Sequence, residues 1–235
     1  VLVVQHEAEV GLGRFAKPLQ DARVVVTIVG PGTSTPIPNS VAGFDGLIVL
    51  GGFPGAQDDA AAPWLAHVCK LISQAVADEI PYLGVCLGAQ LLALVAGGAV
   101  GPARKEPEVG LGQLTLDDAC VTDPLLKDMR QKARAVQWHY DEVVTLPEGS
   151  RSLISSQHCE NQAFRVGASA WGLQFHAEAN SKSVKEWAYK DSLNVARLGL
   201  SLRALVDQVA IADAELDSTW VPLMDRWILV VADVE

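Results

Sequence analysis

The chain has 235 residues, 49% of them hydrophobic and 20% charged, which is enough apolar content to bury a core and excludes disorder as the main state. Eighteen Lys and Arg against 28 Asp and Glu leave a formal charge of −10, with no basic cluster, which disfavours a nucleic acid or an anionic membrane as partner. Cys69, Cys86, Cys120 and Cys159 lack Cys-x-x-Cys spacing, which argues against zinc and thioredoxin-like chemistry and reads as thiols in a reducing, cytoplasmic setting.

In chain order, residues 1–4 are a continuous apolar run, expected of a strand buried on both faces, and they do not read as a leader. Residues 15–21 predict a short helix, 23–29 a β-branched second strand, and 30–40 a Pro/Gly/Ser/Thr loop. Residues 46–50 predict a third strand that runs into Gly51-Gly52-Phe53-Pro54-Gly55. Leu65, Val68, Leu71, Ile72, Ala75 and Val76 recur at helical spacing within 63–79. A fourth strand is expected at 82–85. The run 83–103 is apolar enough to span a bilayer, but Gln90, five glycines and Pro102 favour a strand, a tight turn and a buried helix.

Beyond Gly101 the segments 109–116, 134–139, 143–146, 152–156, 163–166 and 172–175 are short and strand-like, separated by turn residues. Residues 181–213 look largely helical, and 218–233 predicts a separate terminal helix. The alternation of strand and helix implies an α/β fold. It would have a mostly parallel central sheet flanked by helices in three flavodoxin-like layers, with an antiparallel extension. There is no internal repeat or low-complexity linker, so 1–235 is expected to be one domain with a helical C-terminal extension from about residue 190.

Function gathers at the carboxyl ends of parallel strands. At one such end stands Gly84-Val85-Cys86-Leu87-Gly88, the pattern of a nucleophile elbow. Strand, tight turn and helix would put the sulfur at a helix N-terminus, where the Leu87 amide could meet an oxyanion. The plain alternative is a small buried core cysteine. At a second end stands His176-Ala177-Glu178. In an extended segment residues two apart point the same way, so Glu178 could orient the His176 imidazole. Cys86, His176 and Glu178 then take nucleophile, base and orienter roles. The plain alternative is a strand-end histidine beside a helix N-cap. Gly51-Gly52 could supply the other oxyanion amide or be an ordinary βα turn. His67, within a helix, and His158, in a loop, receive no role.

Together these residues resemble the class I, Cys-His-Glu triad glutamine amidotransferases. The match is Gly51-Gly52-Phe53-Pro54-Gly55, then Gly84-Val85-Cys86-Leu87-Gly88-Ala89-Gln90, then Gln174-Phe175-His176-Ala177-Glu178. Gln5-His6, Glu108-Val109-Gly110, Trp138-His139-Tyr140-Asp141, Leu146-Pro147 and Ser155-Ser156 leading to Asn161-Gln162-Ala163-Phe164 look like the stand-alone, GMP-synthase-like branch. The resemblance covers about residues 1–190.

It implies that Cys86 attacks L-glutamine, that the Gly52 and Leu87 amides hold the oxyanion, and that His176 protonates the ammonia. Gln90 would lie beside the substrate. His139 would shape the pocket wall, and the backbone of Asn161, Gln162, Ala163 and Phe164 would help recognise the amino-acid end. No cofactor or metal is implied. The chain departs from the family at Ala177, where proline is usual, and at Tyr140, where glycine is common and the larger side chain would narrow the pocket. No phosphate-binding Gly-x-x-x-x-Gly-Lys-Ser/Thr run is present, so a synthetase that consumes the ammonia would be another chain. A partner-free hydrolase of γ-glutamyl amides fits the same triad. A scaffold without turnover would predict a damaged triad, and a peptidase-like branch fits less well.

Overall fold

The structure is a computed structural model in which residues 1–58, 60–129 and 131–233 are described. The elements run β1 (Leu2–Val4), a 3-10 turn (Gly13–Phe15), α1 (Ala16–Asp21), β2 (Thr27–Val29), β3 (Leu47–Val49), α2 (Leu65–Ala77), β4 (Tyr82–Val85) and α3 (Leu87–Val95). They continue with β5 (Ala99–Pro102), β6 (Glu108–Leu116), a 3-10 turn (Asp118–Thr122), β7 (Lys132–His139), β8 (Asp141–Thr145), β9 (Arg151–Ser156), β10 (Ala163–Val166), β11 (Ala170–Leu173), α4 (Ser181–Lys190), α5 (Ser192–Arg197) and α6 (Leu202–Ala232).

Nine strands form one sheet in the order β2-β1-β3-β4-β11-β10-β9-β6-β7, and β5 pairs with β8 apart from it. From β2 to β11 every pairing is parallel; from β11 to β7 every pairing is antiparallel. The parallel part and its antiparallel extension are therefore continuous. β11 joins them, hydrogen-bonded to β4 on one side and β10 on the other.

The apolar runs follow from burial on both faces. Val3, Ile48, Leu83 and Val85 point into one core, shared with Phe15, Leu19, Trp187 and the buried stripe of α6. Leu2, Val4, Leu47, Val49 and Tyr82 alternate into the other, against α2 and α3. α3 lies deepest, with every residue from Leu87 to Ala93 buried, which explains its lack of a polar face.

Three expectations are corrected and one is upheld. Only Thr27–Val29 of the 23–29 run joins the sheet. Arg23 takes φ +57 where α1 ends, and Val25 is left 81% exposed. The 83–103 run is, as expected, a strand, a tight turn and a buried helix, and that helix ends at Val95 before a turn and β5. Among the described residues no helix is long and apolar enough to cross a membrane. The strand expected at 172–175 is Ala170–Leu173, and the chain bends beyond it. Finally, the two predicted C-terminal helices are one, α6, which passes through residues 213–218 and through Pro222. Proline in a helix interior costs about 3 kcal/mol. Leu216, Trp220, Leu223, Met224 and Trp227 are all buried around it, and that apolar burial offsets the cost.

Candidate active site

Cys86 follows β4 directly and caps the N-terminus of α3 with φ +49 and ψ −102, the left-handed side that side chains avoid. Such a conformation costs about 1–3 kcal/mol and persists only where its surroundings enforce it. Here they do. The Cys86 amide donates to Leu173 O at 2.7 Å, and the Gln90 amide donates to Cys86 O at 3.0 Å. A Cβ on Gly84 would lie 2.5 Å from Gly88 C, and one on Gly88 would lie 2.1 Å from Val49 O. Both glycines are steric requirements of strand, turn and helix meeting at one point. Among the described residues the Gly52 and Leu87 amides donate to no other protein group, so both are available to an anion.

His176 comes to the same place. A Cβ on Gly51 would lie 2.8 Å from His176 Cε1 and 3.5 Å from Cys86 Cβ. The Glu178 Oε1 to His176 Nδ1 distance is 2.7 Å, and all three side chains are buried. The expected pairing is present, but its reason differs: residues 174–178 bend and are not extended. The His176 amide donates to Val136 O at 2.8 Å, and the ring packs against Trp187 with centroids 4.5 Å apart. Burial is the largest influence on the His176 pKa and pulls it down. The charges of Glu178 and Cys86 and hydrogen bonds to both together outweigh it, and the pKa rises to about 10.

The Ala177 turn is fastened from outside. The Arg14 amide donates to Glu178 O at 2.8 Å, and the Arg14 guanidinium donates to Ala179 O from Nε at 3.1 Å and from Nη2 at 2.6 Å. The same guanidinium pairs with Asp213 at 3.3 Å and with Asp217, both on α6. Arg14 is buried, with only 3% of its side chain exposed. No motif in the sequence announced it.

A cavity of about 290 Å³ opens over these groups, lined among others by Cys86, His176, Gly52, Gln90, His139 and Tyr140. Gln90 Nε2 donates to Asp141 O at 3.1 Å and to Gln174 Oε1 at 3.3 Å, and Gln174 Nε2 reaches Cys86 Sγ at 3.7 Å. His139 is buried, with Nδ1 3.2 Å from Asp141 O, so that nitrogen must be the donor, and Nε2 3.4 Å from Glu108 Oε2. Asn161, Gln162, Ala163 and Phe164 do not line the cavity. Asn161 Nδ2 donates to Val143 O at 2.8 Å, and Gln162 Nε2 donates to Glu108 Oε2 at 2.6 Å. Ala163 and Phe164 pair with β11, and Gln162 O accepts from the Gln174 amide at 2.8 Å. This segment therefore supports Gln174 from behind. His6 lies beside Gly52, accepts from Trp64 Nε1 at 3.1 Å, and has its pKa lowered to about 4 by burial, so it is neutral at pH 7.

A thiol beside an imidazole that is hydrogen-bonded to a carboxylate, with two amides free of protein partners nearby, can open a carboxamide through a thioester. The fold and the site together define an α/β protein with a cysteine, a histidine and a glutamate gathered at the carboxyl edge of its parallel strands. Comparison with known proteins narrows the class. The family model described as glutamine amidotransferase class-I matches residues 15–194. The chain belongs to the class I glutamine amidotransferase family.

Gamma-glutamyl peptidase 2 of Arabidopsis thaliana is 29% identical over 143 residues, 61% of this chain and 57% of that protein. A glutamine-hydrolysing GMP synthase subunit of Saccharolobus solfataricus is 38% identical over 120 residues, 51% of this chain and 62% of that protein. The alignments thus span less than two thirds of these relatives. A crystal structure of a glutamine amidotransferase from Thermotoga maritima superposes with TM-score 0.86 at 25% identity, over 97% of this chain and 96% of that one. One from Methylobacillus flagellatus gives 0.84 at 26%, over 97% and 94%.

Proposed function

We propose that this chain hydrolyses the γ-carboxamide of L-glutamine to glutamate and ammonia through a thioester on Cys86. The observation that carries the reading is that Cys86 and His176 line one cavity, with Glu178 Oε1 2.7 Å from His176 Nδ1. The Cys86 sulfur attacks the carboxamide carbon, and the oxyanion takes the Gly52 and Leu87 amides. His176 gives its proton to the nitrogen as the C–N bond breaks. His176 then accepts a proton from water, whose oxygen displaces the sulfur and yields glutamate. Gln90 and His139 border the substrate, with Asn161, Gln162, Ala163 and Phe164 behind them.

The ammonia passes to a synthetase on another chain, by analogy with the GMP synthase subunits among its relatives. The same reading takes residues 1–235 as one cytoplasmic domain with a helical extension from about 190, in keeping with cysteines that form no disulfide. A second reading, hydrolysis of γ-glutamyl amides without a partner, is favoured by the cavity wall beyond His176, where aromatic rings surround a carboxylate.

Intact-mass labelling with a diazo-ketone analogue of glutamine tests the site without requiring a partner. One adduct, blocked by excess L-glutamine and absent in Cys86→Ala, is the expected result. Labelling that glutamine does not block, or that persists in Cys86→Ala, overturns it.

A further inference from the structure

The His176 side of the cavity is more elaborate than ammonia requires. Trp187 packs on the His176 ring, and Trp138 packs edge-on against Trp187 with centroids 6.0 Å apart. Beyond them, Asp191 Oδ2 accepts from Trp138 Nε1 at 2.9 Å and Tyr140 Oη at 2.6 Å, while Oδ1 accepts from Asn194 Nδ2 at 2.7 Å. All of these side chains line the cavity. Three neutral donors fix the Asp191 carboxylate and none cancels its charge. A carboxylate offers about four acceptor positions, so one remains open.

Among the described residues, Asp191 forms no ion pair, and no Lys or Arg lines this cavity. Lys190, next in sequence, sits 4.7 Å above the ring of Phe53, a lining residue, and pairs with Glu7 and Glu9. The wall therefore combines aromatic faces with an unneutralised, immobilised carboxylate, the pairing that recognises an ammonium group.

Its position says which part of a substrate it meets. His176 must stand next to the departing nitrogen to protonate it, so whatever that nitrogen carries extends along the His176 side, toward Trp187, Trp138 and Asp191. We infer that Asp191 and its aromatic neighbours form a leaving-group subsite for a cationic amine, so that the site takes γ-glutamyl amides whose amine bears a second, positively charged group. This rests on the hydrolytic reading of Cys86 and adds a substrate class to it. In the reaction the γ-glutamyl C–N bond breaks, the acyl group stays on Cys86, and the amine leaves with the His176 proton while its far ammonium faces Asp191.

The test compares γ-glutamyl amides of butane-1,4-diamine, butan-1-amine and 4-aminobutanoate, which carry a positive, no, or a negative end on chains of similar length. Expected is a kcat/KM order of diamine, then butylamine, then aminobutanoate, with about tenfold or more between the extremes. Asp191→Asn should bring the three within about twofold. Equal rates in the wild-type chain overturn the subsite and leave the hydrolase reading standing. A ratio that survives Asp191→Asn, with all three rates lowered together, also overturns it and makes Asp191 structural. If no amide is cleaved, calorimetry with the three intact amides, whose reacting nitrogen carries no charge, decides. Tighter binding of the diamine, lost in Asp191→Asn, upholds the subsite while the hydrolase reading fails; indifference to charge overturns it.

Discussion

The two halves of the candidate site are held by different means. The Cys86 turn is enforced by backbones in close contact: Gly84 closes on Gly88, and Gly88 closes on Val49 O of β3. The His176–Glu178 turn has no such local necessity. Ala177 stands at its centre, and the fastening comes from Arg14 near the start of the chain and from Asp213 and Asp217 on α6. One half is fixed by the steric fit of backbones and the other by buried charge across the fold. The first should fail completely or not at all, and the second should loosen by degrees.

The largest effect is expected from Gly88→Ala. Its Cβ would meet a backbone oxygen, Val49 O, at 2.1 Å, so β3 and α3 would have to separate. Overpacking against side chains costs about 1–3 kcal/mol, and a clash with backbone at the sheet centre costs more. Thermal unfolding should show the loss as a fall of at least about 10 °C, or as failure to fold. A variant with nearly wild-type Tm would mean that the elbow yields more easily than its geometry implies.

Glu178→Gln keeps the turn and removes its charge. His176 owes its raised pKa to the charges of Glu178 and Cys86 working against burial. Without the carboxylate the pKa falls, and the protonated imidazole that the proposed reaction uses to release ammonia is lost at lower pH. The alkaline limb of the kcat profile should move down by about one unit or more, and kcat should fall by about a hundredfold or more. A His pKa raised by folding adds stability below about pH 6.5 that is lost as pH rises through the folded value, so Glu178→Gln should flatten the alkaline decline in stability.

How much of this could be read from the sequence follows the same division. The elbow spans five residues, with an apolar strand before it and a helix after, so its identity and local geometry were legible together. His176 and Glu178 were legible as a pair, although the bend that joins them was not. Arg14 was invisible, because its partners lie 165 residues away at Ala179 and 203 away at Asp217. Asp191 was invisible for a related reason: it falls inside the run 181–213 that reads as largely helical, and only folding brings Trp138 and Tyr140 to it. Secondary structure was missed where pattern and burial disagree. The β-branched run before Thr27 stays outside the sheet, and Pro222 lies inside a helix whose buried stripe continues through it.

Arg14→Gln tests the fastening itself. A buried cation with two carboxylate partners is lost, and because Asp213 and Asp217 are 30% and 58% exposed, the cost should be about 2–3 kcal/mol, below that of a fully buried pair. The turn would still form but with Glu178 less well placed. That predicts a several-fold fall in kcat, a KM within about twofold, and a smaller downward shift of the alkaline limb than in Glu178→Gln. A purely structural residue would lower the amount of active protein and leave the limb where it is.

The smallest effect sharpens the comparison most. Relatives of this family usually place proline where this chain has Ala177, and a proline pre-sets such a turn locally. If the Arg14 clasp does from a distance what proline does in place, Ala177→Pro should be nearly silent in the wild-type chain and restorative in Arg14→Gln. Ala177 has no positive φ, and among the described residues its amide donates to no protein group, so the ring would remove no hydrogen bond. The gain from a stiffer unfolded chain is about 0.4–1 kcal/mol. In the double variant kcat should recover by about half or more, and the alkaline limb should return toward its wild-type position. If Ala177→Pro instead lowers both variants equally, the two changes act independently, and Arg14 holds α6 to the sheet without setting the geometry of Glu178.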